Sequence, residues 1–324
     1  MMKQEKKRYR VSFVIPVYNE EESLEKLYGE IIKEIEACEK EEHSWGIEEF
    51  EILFINDGSV DGSVEVIKKM IASDRRIRLI SFRKNFGKAA ALEAGFRHCT
   101  GDIIFTMDAD LQDDPSEISR FIDKLEEGYD LVSGWKYNRK DPLEKRLPSK
   151  LFNWVTARAS GVELHDFNCG FKAYRKEVVK GIDVYGEFHR YIPVFAKRKG
   201  FKIAEITVHH NKREFGKSKY GFERYTRGLL DSISSVFLLK YYDKPMYFFG
   251  KWGIVALLIG ILLCGYLTVE WLMGGHIGTR PFLQLGVLCI ITGIQLFSVG
   301  FIGNLIVDTS YRSRYNEDHI KEII

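Results

Sequence analysis

The chain has 324 residues, a formal net charge of +2 and 45% hydrophobic residues. That length accommodates one α/β domain of ordinary size plus something smaller, and the near-neutral charge gives no case for nucleic acid as a partner. Five cysteines, Cys38, Cys99, Cys169, Cys264 and Cys289, are scattered without a C-x-x-C pair, so neither a disulfide framework nor a zinc site follows and a reducing compartment is expected.

Residues 1–10 are basic but lack the apolar core of a secretory signal, so the N-terminus is expected to stay in the cytosol. Residues 11–17 form an apolar strand leading into Tyr18-Asn19-Glu20. Asn19 is placed to cap the next helix, with Glu22 three residues on, and that helix runs to about Cys38. A second strand at 50–56 ends in Asp57-Gly58-Ser59-Val60-Asp61-Gly62-Ser63 and is followed by a helix at 64–72. A third strand is expected at 77–82, a helix at 89–98 and a fourth strand at 103–107. Strands separated by helices imply right-handed crossovers and a mainly parallel sheet, so three polar strand ends share one edge. The chain has no Gly-x-Gly-x-x-Gly and no Walker lysine loop, which leaves a dinucleotide fold and a P-loop ATPase unsupported.

The fourth strand stops at Asp108-Ala109-Asp110-Leu111-Gln112-Asp113. Carboxylates at the C-terminal edge of a buried parallel strand project into the crevice where open α/β sheets bind ligands. Hard oxygen donors there suit Mg²⁺ or Mn²⁺, which shares its coordination sphere with substrate phosphates. The competing reading is an acidic turn that caps the next helix, since Asp114-Pro115 is itself a good helix start. His209-His210 resembles a metal pair only superficially, because adjacent residues on a strand face opposite ways.

Near residue 245 the composition changes. Residues 253–272 and 281–307 are almost wholly apolar, and each is long enough to cross a bilayer. The short connection between them makes a helical hairpin. Lys240, Lys244 and Lys251 precede the first span and Arg312 and Arg314 follow the second, against Arg280 alone in the connecting loop. The positive-inside rule then places both ends in the cytoplasm. Gly260, Gly265, Gly286, Gly293, Gly300 and Gly303 permit close helix packing, and self-association is compatible with them. Between the soluble part and the spans, residues 222–242 carry apolar positions at helical spacing with a charged remainder, as an amphipathic interfacial helix does.

Four motifs occur in order: Ile15-Pro16-Val17-Tyr18-Asn19-Glu20, Asn56-Asp57-Gly58-Ser59-x-Asp61-Gly62-Ser63, Asn85-Phe86-Gly87-Lys88 and Asp108-Ala109-Asp110-Leu111-Gln112-Asp113. Together they resemble family 2 glycosyltransferases of the GT-A fold. With Asp166-Phe167-Asn168-Cys169-Gly170-Phe171 and the C-terminal hairpin, the resemblance extends to polyprenyl-phosphate sugar synthases, such as dolichyl-phosphate mannose synthases and bactoprenol glucosyltransferases. The organisation it implies is a GT-A domain at 1–221, amphipathic helices at 222–245, two transmembrane helices at 246–310 and a cytoplasmic tail at 311–324.

The resemblance also implies roles. Pro16, Tyr18 and Glu20 line the base and ribose pocket, and Asp57 accepts hydrogen bonds from the nucleoside, although Asp57 and Asp61 could equally shape a turn. Lys88 either reaches the nucleotide or opens a solvated helix face. Asp108 and Asp110 hold a metal-bound diphosphate, with Gln112 as a further oxygen ligand. The acceptor is a lipid phosphate, already substantially ionised near neutral pH, so it needs cations more than a strong base. Arg139, Ser149, Arg213 and Lys219 are the implied phosphate contacts, and Asp166 is the implied base or orienter. Relatives carry arginine where Lys136 stands, and lysine lacks the bidentate fork, so Lys136 receives no role. The expected reaction is inverting transfer of one sugar from UDP-glucose to a polyprenyl phosphate at the cytoplasmic membrane face. GDP-mannose is the alternative donor, and an inactive sugar-nucleotide-binding membrane scaffold is the alternative of another class. A processive polysaccharide synthase is disfavoured, because the chain lacks Gln-x-x-Arg-Trp and has too few spans for a polymer channel.

Overall fold

A computed structural model of the chain describes residues 6–40, 43–137, 153–154, 156–158, 160–182, 184, 188–211, 241, 244–275 and 281–313. Contacts divide the chain into Met1–Arg224 and Tyr225–Ile324.

The first unit is built on a seven-stranded sheet of order β3-β2-β1-β4-β6-β5-β7. Its strands are β1 (Lys7–Val17), β2 (Trp45–Asn56), β3 (Ile77–Ser81), β4 (Ile103–Thr106), β5 (Leu131–Trp135), β6 (Lys172–Arg175) and β7 (Ile203–Thr207). Strands β3, β2, β1 and β4 run parallel, as the alternating pattern requires. Strand β6 is antiparallel to both β4 and β5, whereas β5 and β7 are parallel. The central strands are covered on both faces, so their apolar residues run without a break. Phe13, Ile15 and Phe105 point into one core, and Val14 and Ile104 point into the other.

Helix α1 (Leu24–Lys40) presents Leu24, Leu27, Ile31, Ile35 and Cys38 to the first core. It shares that face with α2 (Ser63–Ser73), which contributes Ile67 and Met70, and α4 (Ile118–Glu126), which contributes Phe121, Ile122 and Leu125. The second core lies under α3 (Lys88–His98), α5 (Lys176–Lys180) and α6 (Ile192–Arg198). Helix α3 approaches β1 so closely that a Cβ on Gly95 would fall 2.2 Å from Val14 Cγ1. That spacing sets where the N-terminus of α3, and therefore Lys88, meets the edge of the sheet.

The second unit contains α7 (Pro245–Leu272) and α8 (Pro281–Ser313), packed against each other. Hydropathies of 2.3 and 2.2 with only 17% of each apolar window buried separate them from core helices of a soluble protein. Leu258, Ile261, Leu262, Ile294, Ile302 and Ile306 all face outward, which in water would be unsustainable. The two helices are candidate membrane spans, and they make this an integral membrane protein. Their contact depends on glycine: a Cβ on Gly260 would lie 2.7 Å from Gly286 O, and one on Gly293 would lie 2.8 Å from Gly253 O. Gly265, expected among the packing glycines, has nothing within 4 Å of its Cβ position and takes no part. The expected interfacial helix at 222–242 and the tail beyond 313 lie outside the described residues, apart from Tyr241.

Candidate active site

The ends of β1, β2 and β4 meet on one edge, as the parallel reading required. Val17 pairs with Asn56, and Asp57 N donates to Val17 O at 2.8 Å. Pro16 sits opposite Ile55 in the last pairs of this ladder, and Tyr18 follows it at 38% exposure. Asn19 does not cap α1. It adopts φ 55°, accepts from Val60 N at 2.8 Å through its side chain, and donates its own N–H to Ser59 Oγ at 3.0 Å. Asparagine tolerates this left-handed conformation better than most residues, so it serves the tie between two loops rather than the helix. Glu20 N likewise donates to Ser63 Oγ at 3.0 Å.

Asp61 belongs to the turn. Its carboxylate accepts from Ser63 Oγ at 2.6 Å, Ser63 N at 3.1 Å and Glu21 N at 3.3 Å. Burial pushes its carboxyl upward, but these hydrogen bonds outweigh that and hold it below the usual range.

Asp57 is buried, and its two oxygens accept from Phe86 N at 2.7 Å and Gly87 N at 3.0 Å. The carboxylate thereby fixes the turn that starts α3. A Cβ on Gly58 would lie 2.4 Å from Lys84 C, so the approach of these two loops needs glycine there. The turn delivers Lys88 to Asp108, with which it forms an ion pair. About a third of each side chain stays accessible, 32% and 33%, so the pair borders solvent. Burial opposes charge on both groups, but mutual attraction prevails: Lys88 is held above its ordinary pKa, and Asp108 well below the carboxylate range, with Lys136 and Lys172 adding to the effect on Asp108. Lys88 is therefore no member of a merely solvated helix face.

In the loop from Asp108 to Asp114 the capping role falls to one residue of the acidic run. Asp114 is the cap, accepting from Ser116 N at 3.0 Å at the start of the 3₁₀ turn Pro115–Glu117. Asp108 and Asp110 are not. Leu111 has φ 60°, a conformation that L-residues with bulky side chains adopt at a cost and that clusters at functional sites. It lets Gln112 N reach Asp110 Oδ1 at 3.2 Å, so Asp108, Asp110 and Gln112 are carried on one tight turn. Asp113 closes the turn from below: its Oδ2 accepts from Asp108 N at 3.2 Å. Its Oδ1 lies 2.9 Å from Lys136 Nζ, an ion pair too oblique for a regular hydrogen bond. Burial works to lower the pKa of Lys136, but Asp113, then Cys169 and Asp108, raise it above its ordinary value. Lys136, given no role by its sequence, is a buried strut under the acidic loop.

Residues beyond the motifs complete the site. Gly170 faces Asp108, where a Cβ would meet Oδ2 at 2.6 Å, and Thr106 Oγ1 donates to Gly170 O at 2.7 Å. Asp166 is buried and accepts from Asn168 N at 3.0 Å, while its own N–H donates to Glu205 Oε1 at 3.1 Å. Lys172, the first residue of β6, is buried and donates to the carbonyl of Cys169. Burial lowers its pKa and the charge of Lys88 adds to this, with Cys169, Asp166 and Asp108 opposing. Burial also pushes the Cys169 thiol up to about 12, so it is inert. Lys172 opens the strand Lys172–Arg175, and nothing in that local pattern marks it for the site. The adjacent histidines lie just past the end of β7, His209 exposed and His210 buried, so they do not form a pair. His210 alone reaches the site, its Nε2 at 3.5 Å from Gln112 Nε2. Arg139, Ser149, Arg213 and Lys219 lie outside the described residues.

The family description Glycosyl transferase family 2 matches residues 12–183. The dodecaprenyl-phosphate galacturonate synthase of Rhizobium johnstonii is 34% identical over 317 residues, covering 96% of this chain and 91% of that protein. The undecaprenyl-phosphate 4-deoxy-4-formamido-L-arabinose transferase of Shewanella sediminis is 36% identical over 312 residues, covering 94% and 90%. The chain belongs to glycosyl transferase family 2. It is a glycosyltransferase of the polyprenyl-phosphate sugar transferase group. Among solved structures, glucosyl-3-phosphoglycerate synthase from Mycobacterium tuberculosis, in complex with Mn²⁺, UDP and phosphoglyceric acid, superposes with a TM-score of 0.52 at 18% identity over 71% of this chain and 78% of that one. A mannosyltransferase from Pyrobaculum calidifontis in complex with GDP-Man and Mn²⁺ gives 0.50 at 14% identity over 96% and 82%. These two likenesses establish the GT-A fold of the chain.

Proposed function

We propose that the chain transfers one sugar, with inversion, from a UDP-linked donor to a polyprenyl phosphate at the cytoplasmic membrane face. UDP-glucose is the donor the sequence favours. The observation that carries this reading is the pair Asp108 and Asp110, set on a strained turn at the ligand-binding edge of the sheet with Lys88 already on Asp108. Relatives named for galacturonate and formamido-arabinose transfer make sugar identity the first thing to measure.

In this reading Pro16, Tyr18, Glu20 and Asp57 take the nucleoside, and Asp57 also fixes the turn that aims Lys88 at the diphosphate. Among the described residues no group of three or more His, Cys, Asp or Glu side chains is placed to hold a metal ion. Two carboxylates and one amide nevertheless suit Mg²⁺ or Mn²⁺, which completes its shell with phosphate and water oxygens. The absent side chain of Gly170 also leaves room beside Asp108. Asp108, Asp110 and Gln112 would hold the ion, with His210 against Gln112. When bound, it would neutralise charge on the departing nucleoside diphosphate.

The acceptor phosphate needs orientation in line with the anomeric carbon more than it needs deprotonation. Arg139, Ser149, Arg213 and Lys219 are proposed to supply its contacts, and Asp166, held by Asn168 N, to orient the acceptor. Lys244 just before α7 and Lys251 in its second turn, against Arg280 in the loop, favour cytoplasmic placement of both ends. Confining enzyme and lipid to one surface raises their effective concentration.

The test is divalent-dependent nucleotide release by the purified full-length protein from UDP-glucose, a UDP-uronate, a UDP-pentose and GDP-mannose, with and without polyprenyl phosphate. Release from one UDP-sugar, accelerated by lipid phosphate and abolished by chelator, is expected. Turnover of GDP-mannose alone would replace the donor assignment, and absence of turnover with every donor would leave the scaffold alternative.

A further inference from the structure

A small cavity lies between the N-terminal turn of α3, the end of β4 and the loop before β6. It is lined by Lys88, Thr106, Asn168, Gly170, Lys172 and His189, among others, and has room for about a single water-sized group. His189 enters it from the 3₁₀ turn Phe188–Tyr191 that leads into α6. Its Nδ1 is buried and has no hydrogen-bond partner among the described residues. Burial drives its pKa down to about 3, and the charges of Lys88, Arg190 and Lys172 add to this, with Asp108 opposing. The ring is therefore neutral at any working pH, with one nitrogen a donor and the other an acceptor. A buried, unsatisfied ring nitrogen is costly to maintain, and its persistence in a cavity that Lys88 also lines calls for a ligand. A group that fits is small and polar, exchanges one hydrogen bond with Nδ1 as its tautomer requires, and belongs to a molecule that also reaches Lys88 on the cavity wall.

A sugar hydroxyl on a nucleoside diphosphate meets every one of those conditions. We propose that His189 binds a hydroxyl of the donor sugar in this cavity, with Thr106 and Asn168 on its walls. The diphosphate is then left to Lys88 and the Asp108–Asp110 turn. The inference rests on the glycosyltransferase reading and deepens it: it separates a sugar-binding residue from those that bind UDP. His189 acts by binding, and no proton transfer is assigned to it.

The experiment is calorimetric titration of the full-length protein in detergent micelles, with Mn²⁺, against UDP and against the UDP-sugar that the wild type turns over best. His189→Ala should weaken UDP-sugar binding by about tenfold, the loss expected for one hydrogen bond to a neutral group. It should leave UDP affinity unchanged and raise KM for the sugar nucleotide more than it lowers kcat. His189→Gln, which retains a donor and an acceptor, should recover part of the loss. A parallel fall for UDP and UDP-sugar would overturn the proposal in favour of a diphosphate or folding role. Unchanged affinity for both would show that the cavity is not a sugar subsite. Failure of the wild type to turn over any sugar nucleotide would instead overturn the transferase reading itself, and the inference with it.

Discussion

Removing Lys136 leaves the buried Asp113 carboxylate without its ion-pair partner, with only the Asp108 N–H bond and the more distant charge of Lys88 in its favour. The two side chains are 9% and 0% exposed and 2.9 Å apart, so solvent screening is minimal and the surface-pair discount does not apply. Breaking one partner of a buried pair costs about 3–5 kcal/mol, because the other charge stays desolvated. In a domain of this size each kcal/mol moves the melting temperature by roughly 2–4 °C, so Lys136→Met should lower it by about 6–20 °C. Asp113→Asn keeps an oxygen for Asp108 N but strands the ammonium, and should cost a similar amount. The double variant removes both charges and should lose clearly less than the sum of the two. Melting of all four proteins in one detergent, followed by tryptophan fluorescence, measures the cycle. Additive losses, or a Lys136→Met shift under about 3 °C, would refute the strut.

Three further outcomes are expected. Asp110→Asn should fold normally and lose nearly all transfer, because a neutral amide cannot balance a bound cation; turnover near wild type at saturating Mn²⁺ would remove Asp110 from the metal set. Glu126 accepts from Tyr9 Oη and Arg175 Nη2, both at 2.6 Å, and from Lys7 Nζ at 2.9 Å; burial opposes these bonds, but they lower its pKa from 4.5 to about 2. A depressed carboxylate stabilises the fold above its unfolded pKa and ceases to as pH falls through the folded one, so wild type and Glu126→Gln should differ in melting temperature above pH 4.5 and converge near pH 2; a constant gap would contradict this. Gly260→Leu should destabilise the hairpin by about 1–3 kcal/mol through overpacking against Gly286 O, whereas Gly265→Leu, facing open space, should be neutral; equal effects in micelle melting would deny the glycine seam.

The parts of the site that could be read from sequence are those where one local segment carries the whole message. An apolar run ending in Asp108-Ala109-Asp110 announces a strand, its end and its chemistry together. Three such endings on a parallel sheet force a common edge. What could not be read depends on residues far apart in the chain. Nothing near Lys136 marks it for Asp113, since the pair is created by β5 lying beside β6 and β7. Strand β6 is legible as the aromatic-rich segment after Asp166, but its antiparallel pairing with both β4 and β5 is not, because those neighbours lie far from it in the chain. Asn19 was assigned to α1 on local pattern, but Val60 N from the next loop offers it a stronger claim than the helix does.

The division of labour between two lysines follows from what each carboxylate has left to offer. Asp113 spends Oδ2 on Asp108 N and presents only Oδ1 to a cation. A point charge is sufficient there, and the two-pronged guanidinium of arginine would compete with the backbone for the second oxygen. Lys136 is therefore suited to a fixed position, and its burial holds it there. Lys88 and Asp108 border solvent with about a third of each side chain accessible, 32% and 33%, so their pair can be exchanged without uncovering a buried charge. On the proposed reading Asp108 would help to hold the metal and Lys88 the diphosphate, so each would find a partner of opposite sign in the bound donor. Each charge would then keep an opposite neighbour in the bound state as it does in the resting one. On that reading the resting ion pair would mark the two places the donor's charges take, above the buried Lys136–Asp113 pair that braces the turn.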